Sequence, residues 1–351
     1  MKVATAVLAL TVLLVAFAAR AHHGPPGSAT YYNQQIIELE GEITEVLWQN
    51  PHVRFRMAVV EDDGEATIWE LESATPNMLK RAGISVDVAQ PGDRVRAAGF
   101  VSKRDPNSIA MMHLLLPNGR EFAAGNREPR WSGDLLPRFR PGDVITEIDA
   151  TKAAAAAEAA RGIFRVWTSP PLEQYARAIR NDESLTDRAN QIQAAYDPVT
   201  QNPELDCRTG MPWTMFDPSV MALTEDGERI VLQIQEYDVE RVIYMGAGSD
   251  AQNADVPASP LGSSVGHWED DTLVVRTTAV DFPFFDLSGT PQSEQVEFVE
   301  RFTMTANESR LNYTLTAIDP VMFTAPVVLE RFWTWIPGVE LESFECVLWN
   351  D

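Results

Sequence analysis

Apolar and polar residues alternate in short blocks over most of the chain, and this period of two constrains the fold more than any other feature. In the first part of the chain the blocks lie at residues 36–43, 53–60, 66–71 and 94–101. Such alternation is typical of half-buried β-strands. Residues 61–64 read Glu-Asp-Asp-Gly, so the second and third blocks are predicted to form a hairpin. Residues 75–83 instead predict a short helix that ends at a glycine.

The second half of the chain returns to the same period after a linker. Residues 126–161 are first rich in Arg, Pro and Gly and then contain Lys152 and a run of alanines, which is a strong local helix former. Further alternating blocks lie at residues 229–235, 239–245, 272–278, 296–302, 310–316, 327–333 and 341–346. A run of antiparallel strands most simply removes its edges by closing into a barrel, and a barrel of about eight strands holds one small ligand.

These patterns predict a mainly β protein with two barrels. Five or so short strands and one small helix fit a small OB-like β-barrel at residues 22–125. Residues 162–167 resemble the Gly-x-Trp start of lipocalin-like barrels, with Phe164 in the place of the tryptophan. We therefore expect a larger antiparallel, lipocalin/calycin-like β-barrel at residues 162–351. The Ala-rich helical linker at residues 126–161 joins the two.

The N-terminus has the pattern of an export signal. Lys2 precedes an apolar run at residues 3–18, and Ala-Arg-Ala at residues 19–21 provides a small-x-small cleavage site. The run is shorter than the roughly 20 residues that span a bilayer, and no later segment is long and apolar enough. We therefore expect a signal peptide at residues 1–21 and a periplasmic or secreted mature protein without a membrane span. An uncleaved membrane anchor is the alternative.

Charge and cysteine content narrow the possible partners and the compartment. The formal net charge of −23 argues against nucleic acid or anionic lipid as a partner, because both require neutralisation of phosphates by Lys and Arg. Cys207 and Cys346 are the only cysteines. An even number in an exported chain favours a disulfide between them, with two buried free thiols as the alternative.

Motifs in the first half resemble a family of small exported bacterial proteins of unknown function. His22 and His23 follow Ala21, and residues 48–52 read Trp-Gln-Asn-Pro-His before a predicted strand. Members of that family begin Ala-His-His and carry Trp-x-Asn-Pro-His. The resemblance covers roughly residues 21–122 and implies no particular activity.

Motifs in the second half are similar to those of another uncharacterised set of exported bacterial proteins. The matching pieces include residues 210–212, 241–245, 262–275 and 300–302. That set usually reads Gly-His-Ser-Ile-Gly and Pro-His-Ser-Asp, whereas this chain has Ser263 and Gln292 in place of the two histidines. Any chemistry that those histidines carry in the relatives is therefore in doubt here.

The first half also contains candidate metal ligands. Cleavage after Ala21 would free the α-amine of His22, which together with its own imidazole can chelate copper. A third nitrogen from His23 or His52 would complete the site. The alternative is an exposed terminus with a structural His52, whose position after Asn50 and Pro51 suits a turn.

Two hypotheses follow for the second half. Aromatic side chains with a few polar groups are typical of ligand pockets, although barrel cores contain them as well. A site for a small apolar or amphipathic molecule would be lined by Trp213, Trp268, Phe302, Tyr313 and Trp333. Alternatively, His267 with Glu236 and Asp271 could perform acid–base catalysis on such a molecule. The residues around His267 equally suit a turn into a strand.

Overall fold

The computed structural model of the protein describes residues 30–125, 127–137, 148–169, 184–217, 219–246 and 257–348. The predicted signal peptide and the candidate ligands His22 and His23 lie outside these residues. The chain is mainly β, and its strands form two separate sheets. None of the helices in these ranges is long and apolar enough to cross a membrane.

The first sheet closes on itself. It contains β1 (Tyr31–Leu47), β2 (Arg54–Val60), β3 (Ala66–Glu72), β4 (Arg94–Ser102), β5 (Ser108–Leu115) and β6 (Glu121–Ala123). The strand order is β3-β2-β1-β4-β5-β6, and β3 also pairs with β5 in parallel. This pairing closes a five-stranded barrel, with helix α1 (Pro76–Arg81) between β3 and β4. The predicted OB-like barrel is confirmed.

The predicted turn and helices form where the sequence indicates. The β2–β3 hairpin turns at residues 61–64, where the amide of Gly64 donates to the carbonyl of Glu61 at 2.9 Å. Helix α1 begins after Thr75, whose hydroxyl accepts from the amide of Met78 at 3.1 Å, and it ends before Gly83. The Ala-rich stretch of the linker forms helix α2 (Ala150–Ala159).

The second sheet is a nearly closed barrel of nine strands. It contains β7 (Val166–Trp167), β8 (Met221–Asp226), β9 (Arg229–Ile234), β10 (Val239–Met245), β11 (Ser263–Glu269), β12 (Thr272–Thr278), β13 (Glu297–Met304), β14 (Arg310–Ile318) and β15 (Val327–Thr334). Neighbours in the sheet are neighbours in sequence. Thr168 and Thr334 exchange two backbone hydrogen bonds of 2.8 and 2.9 Å, which bring the last strand back to the first.

Two details differ from the expected antiparallel run. Strands β10 and β11 are parallel, and parallel neighbours cannot be joined by a tight hairpin turn. The block at residues 341–346 forms no strand. Its backbone groups bond to side chains of both barrels instead of a neighbouring strand.

Each barrel has its own apolar core. In the second barrel the rings of Phe302 and Tyr313 lie 4.8 Å apart, and that of Trp333 lies 5.4 Å from Tyr313. Helix α3 (Asp187–Ala195) packs Ala189 against this core. The interior of the second barrel is therefore filled by its own side chains.

Candidate functional site

The five aromatic residues predicted to line a ligand site do not meet at one opening. Trp213, Phe302, Tyr313 and Trp333 are at most 5% exposed and belong to the core of the second barrel. Trp268 is 44% exposed and packs against Phe164 on the outer surface. Four of the predicted residues therefore stabilise the barrel, and the fifth lies away from them.

A buried polar network occupies the centre of this barrel. The guanidinium of Arg241 donates to both carboxylate oxygens of Glu300, and both side chains are at most 2% exposed. The hydroxyl of Tyr313 donates to Glu300 at 2.7 Å, and that of Thr277 donates to Glu300 at 3.0 Å. Ser264 accepts from Arg241 at 2.9 Å. The network satisfies its charges internally, which indicates a structural role.

The predicted catalytic trio is also dispersed. His267 lies on β11 with 62% of its side chain exposed, and its Nε2 is 3.3 Å from Glu269. Asp271 lies in the exposed turn that follows β11. Glu236 lies in a turn at the opposite end of β10 and approaches a different histidine, His52. The structure therefore does not bring Glu236 together with His267 and Asp271.

Glu236 belongs to a cluster of partly exposed ionisable side chains from the two barrels. We call this cluster the interdomain recess. Its first wall is Tyr31, His52, Glu72 and Arg81 of the first barrel, and its second wall is Glu204 and Glu236. The carboxylates of Glu204 and Glu236 both act electrostatically on His52, and Arg81 acts on Glu236. The guanidinium of Arg81 also donates to the side chain of Gln235 at 2.6 Å, which joins the two walls.

The first wall of the recess is built at one end of the OB-like barrel. Strand β2 begins in register with the end of β3, where Arg54 lies opposite Glu72. His52 precedes β2 by two residues, so its imidazole reaches Glu72, with 2.9 Å between Nδ1 and Oε1. The hydroxyl of Tyr31, at the start of β1, donates to the other oxygen of Glu72 at 2.6 Å. The carboxylate of Glu72 thus holds both neighbouring side chains.

The second wall consists of two tight turns of the C-terminal half. Glu204 lies in the 3-10 turn Pro203–Asp206, which Asn202 caps by accepting from the amide of Glu204 at 3.0 Å. The indole of Trp213 donates to Glu204 at 2.9 Å. Glu236 opens the 3-10 turn Glu236–Asp238 between β9 and β10, where its amide donates to Ser219 at 2.9 Å.

The surroundings of Glu236, His52 and Glu204 raise the pKa of each of these groups. Burial raises the pKa of Glu236 to about 7, and the nearby charge of Glu204 adds to the rise. Burial alone would lower the pKa of His52, but the charge and hydrogen bond of Glu72, then Glu204 and Glu236, raise it overall. Burial also raises the pKa of Glu204. The recess therefore contains a carboxyl with a pKa of about 7 beside an imidazole whose pKa is raised by its acidic neighbours.

The hydrogen bond to Glu72 also fixes the orientation of His52. Because Nδ1 is bound to a carboxylate that is ionised, the proton of the neutral imidazole is held on Nδ1 and Nε2 is left as the acceptor. The side chain of His52 is 41% exposed. Glu72 thus fixes the imidazole while part of the ring stays accessible to solvent.

The predicted disulfide is present beside this wall. Cys207, directly after the turn of Glu204, is bonded to Cys346 with 6.0 Å between their Cα atoms. The covalent link holds the C-terminal segment against the turn that carries Glu204. It closes a loop with a sequence separation of 139.

The structure brings no metal site together within the residues it describes. No group of three or more His, Cys, Asp or Glu side chains in those ranges is arranged to hold an ion. His52 is engaged with Glu72, and copper binding by His22 and His23 stays a prediction because both lie outside the described ranges.

A family model matches part of the first half of the chain. Residues 9–110 match a family of unknown function (DUF6152). This range is less than a third of the chain, and it contains Tyr31, His52, Glu72 and Arg81. It agrees with the resemblance of the first half to an uncharacterised family. A search of curated proteins found no match to the chain.

Proposed function

We propose that the protein is an exported enzyme whose acid–base site is the interdomain recess, with His52 and Glu236 as the groups that transfer protons. The observation that supports it most is the pairing of His52 Nδ1 with Glu72 at 2.9 Å opposite Glu236. The predicted signal peptide and the disulfide both favour an oxidising compartment outside the cytoplasm.

Each residue of the recess has a role in this proposal. Glu72 orients the imidazole and stabilises its positive charge, in the way that a carboxylate supports a catalytic histidine. Tyr31 holds the second oxygen of Glu72 at 2.6 Å and keeps the carboxylate in place. Glu236 can give or take a proton near neutral pH because its pKa is about 7. His52 and Glu236 would act as opposite partners in the reaction.

The charges of the recess favour a neutral or cationic substrate. Glu72, Glu204 and Glu236 contribute three carboxyl groups, and the charges of His52 and Arg81 lower the pKa of Glu236. A small molecule without negative charge fits this combination, whereas a phosphorylated or carboxylated substrate would be repelled.

The direct test uses substitutions in the recess with a matched control on the surface. We would assay the mature protein from pH 5 to 8 on neutral and cationic chromogenic esters, amides and glycosides. His52→Gln and Glu236→Gln should each lower turnover by about 100-fold or more, as general acid–base groups do. His267→Gln removes the exposed His267–Glu269 pair and should leave turnover unchanged. Full turnover in His52→Gln would rule out the proposed role.

An NMR titration tests the electrostatic basis independently of any substrate. The ring protons of His52 should titrate above the usual pKa of a histidine, and Glu72→Gln should lower that pKa, because the neighbouring negative charge is removed. A pKa for His52 that does not change in Glu72→Gln would contradict the arrangement.

A binding protein without turnover is the second candidate, and the raised pKa of Glu204 and Glu236 supports it. Two carboxylates that burial destabilises would gain from a ligand cation. Octylamine should then bind more tightly than 1-octanol, with an affinity that rises through the pKa of Glu236, about 7, as this group ionises. Calorimetry with Glu236→Gln should remove the preference for the amine. Equal affinities for the two octyl compounds would reject this candidate.

A further inference from the structure

The segment that follows β15 lies between the two barrels without regular secondary structure. Residues 338–348 contain no helix or strand. On one side the side-chain amide of Asn50 donates to the carbonyl of Phe344, and that of Asn77 donates to the carbonyl of Ser343 at 3.2 Å. The amide of Val347 donates to the backbone carbonyl of Asn50 at 3.0 Å. The first barrel thus binds the backbone of this segment at three points.

The second barrel binds the opposite side of the same residues. Asp238 accepts hydrogen bonds from the amides of Phe344 and Glu345, both at 2.8 Å. The ring of Phe344 is 2% exposed and lies 5.1 Å from that of Tyr237. The segment is therefore anchored by one buried aromatic side chain and by backbone hydrogen bonds, as peptides are in many recognition sites.

The two asparagines of the first barrel also contact each other. Asn50 and Asn77 are 7% and 8% exposed with the segment in place, and the amide of Asn50 donates to the side-chain oxygen of Asn77 at 3.0 Å. A hydrogen bond between the two side-chain amides restricts the positions of their remaining donors, which lowers the entropic cost of binding. Because these donors contact backbone carbonyls, they recognise the main chain and not one particular side chain.

We propose that the Asn50–Asn77 surface of the first barrel is a binding site for the backbone of a polypeptide segment, occupied in this protein by its own residues 342–347. The Cys207–Cys346 disulfide keeps the segment beside the site, so its local concentration is high and the site stays filled. The family match at residues 9–110 contains Asn50 and Asn77 but not the segment. This inference does not depend on the proposed catalysis.

A peptide in trans tests the site. A chain that ends at residue 337 and carries Cys207→Ser would be titrated with a fluorescent peptide of residues 338–351 that carries Cys346→Ser. Anisotropy should show saturable binding, at least tenfold weaker with Asn50→Ala plus Asn77→Ala in the barrel or with Phe344→Ala in the peptide. Asn107→Ala, an exposed position of the same barrel, should not change it. The intact oxidised protein should not bind the peptide, because its site is filled.

The outcomes distinguish a site from incidental packing. If the shortened chain has a native circular dichroism spectrum and binds no peptide, or binds it equally well without the two asparagines, the proposal is wrong. If the shortened chain does not fold, hydrogen exchange in the full oxidised chain decides. Asn50→Ala plus Asn77→Ala should then accelerate exchange at the amides of Phe344, Glu345 and Val347 by at least tenfold, and unchanged rates would overturn the proposal.

Discussion

The ion pair inside the second barrel gives the sharpest prediction on stability. Glu300 accepts hydrogen bonds from Arg241, Tyr313 and Thr277, and neither charged group of the pair has access to water. In Glu300→Gln the shape is retained, but the guanidinium of Arg241 stays buried without its counter-ion. Breaking a buried pair in this way costs about 3 to 5 kcal/mol.

This loss is large compared with the roughly 5 to 15 kcal/mol that stabilise a folded domain. For a domain of this size it corresponds to a Tm that is lower by roughly 6 to 20 °C. The assay is urea unfolding at pH 7, followed by the fluorescence of buried tryptophans such as Trp333, together with a thermal scan. Tyr313→Phe removes one hydrogen bond to the same carboxylate and should cost about 1.5 to 3 kcal/mol.

The chain contains its own control for this experiment. Arg276 and Glu297 form a bidentate pair with two contacts of 2.7 Å, but 52% of the Arg276 side chain is exposed. Because water screens this pair, Glu297→Gln should cost only about 0 to 1 kcal/mol. If Glu300→Gln costs no more than Glu297→Gln, the assignment of Glu300 as the counter-ion that stabilises the barrel interior is wrong.

Two further predictions concern the first barrel. Burial alone would raise the pKa of Glu121, but backbone amides of residues 130–132 and His113 lower it overall. The contribution of Glu121 to stability should be complete above the usual carboxyl pKa of 4.5, and it should decline as the pH falls through the lower pKa of the folded state. The urea midpoint of Glu121→Gln should therefore depend less on pH between 3 and 5 than that of the unsubstituted protein. Gly99→Ala would place a Cβ atom 2.1 Å from the carbonyl oxygen of Ala110 and should cost about 1 to 3 kcal/mol, whereas Gly133→Ala meets no atom within 4 Å. Equal denaturation midpoints for the two glycine variants would contradict the close strand contact.

Local and periodic features made much of the fold predictable. The hairpin at residues 61–64, the helix after Thr75 and the alternating strands depend on neighbouring residues, so the sequence was sufficient for them. Pairing between strands that are far apart in the sequence was harder to predict. For β10 and β11, no local pattern in the sequence indicates that the two strands pair in parallel.

The site was predicted only in part, because it forms between the barrels. Glu236 and His52 were both candidates from the sequence, but they are 184 positions apart and were assigned to different hypotheses. Glu72, Tyr31, Arg81 and Glu204 were missed. Glu72 ends a strand that pairs with the strand after His52, so a correct register for the β2–β3 hairpin would have placed it beside the imidazole. No pattern in the sequence brings Glu204 to the same place.

The position of the segment in the chain also has a consequence for the order of assembly. Residues 342–347 follow every described strand and helix, yet they bind the barrel that is synthesised first. Domains generally fold in the order in which they are synthesised. The first barrel can therefore be complete while Asn50 and Asn77 still face solvent, and other polypeptide segments can reach them until residues 342–347 bind.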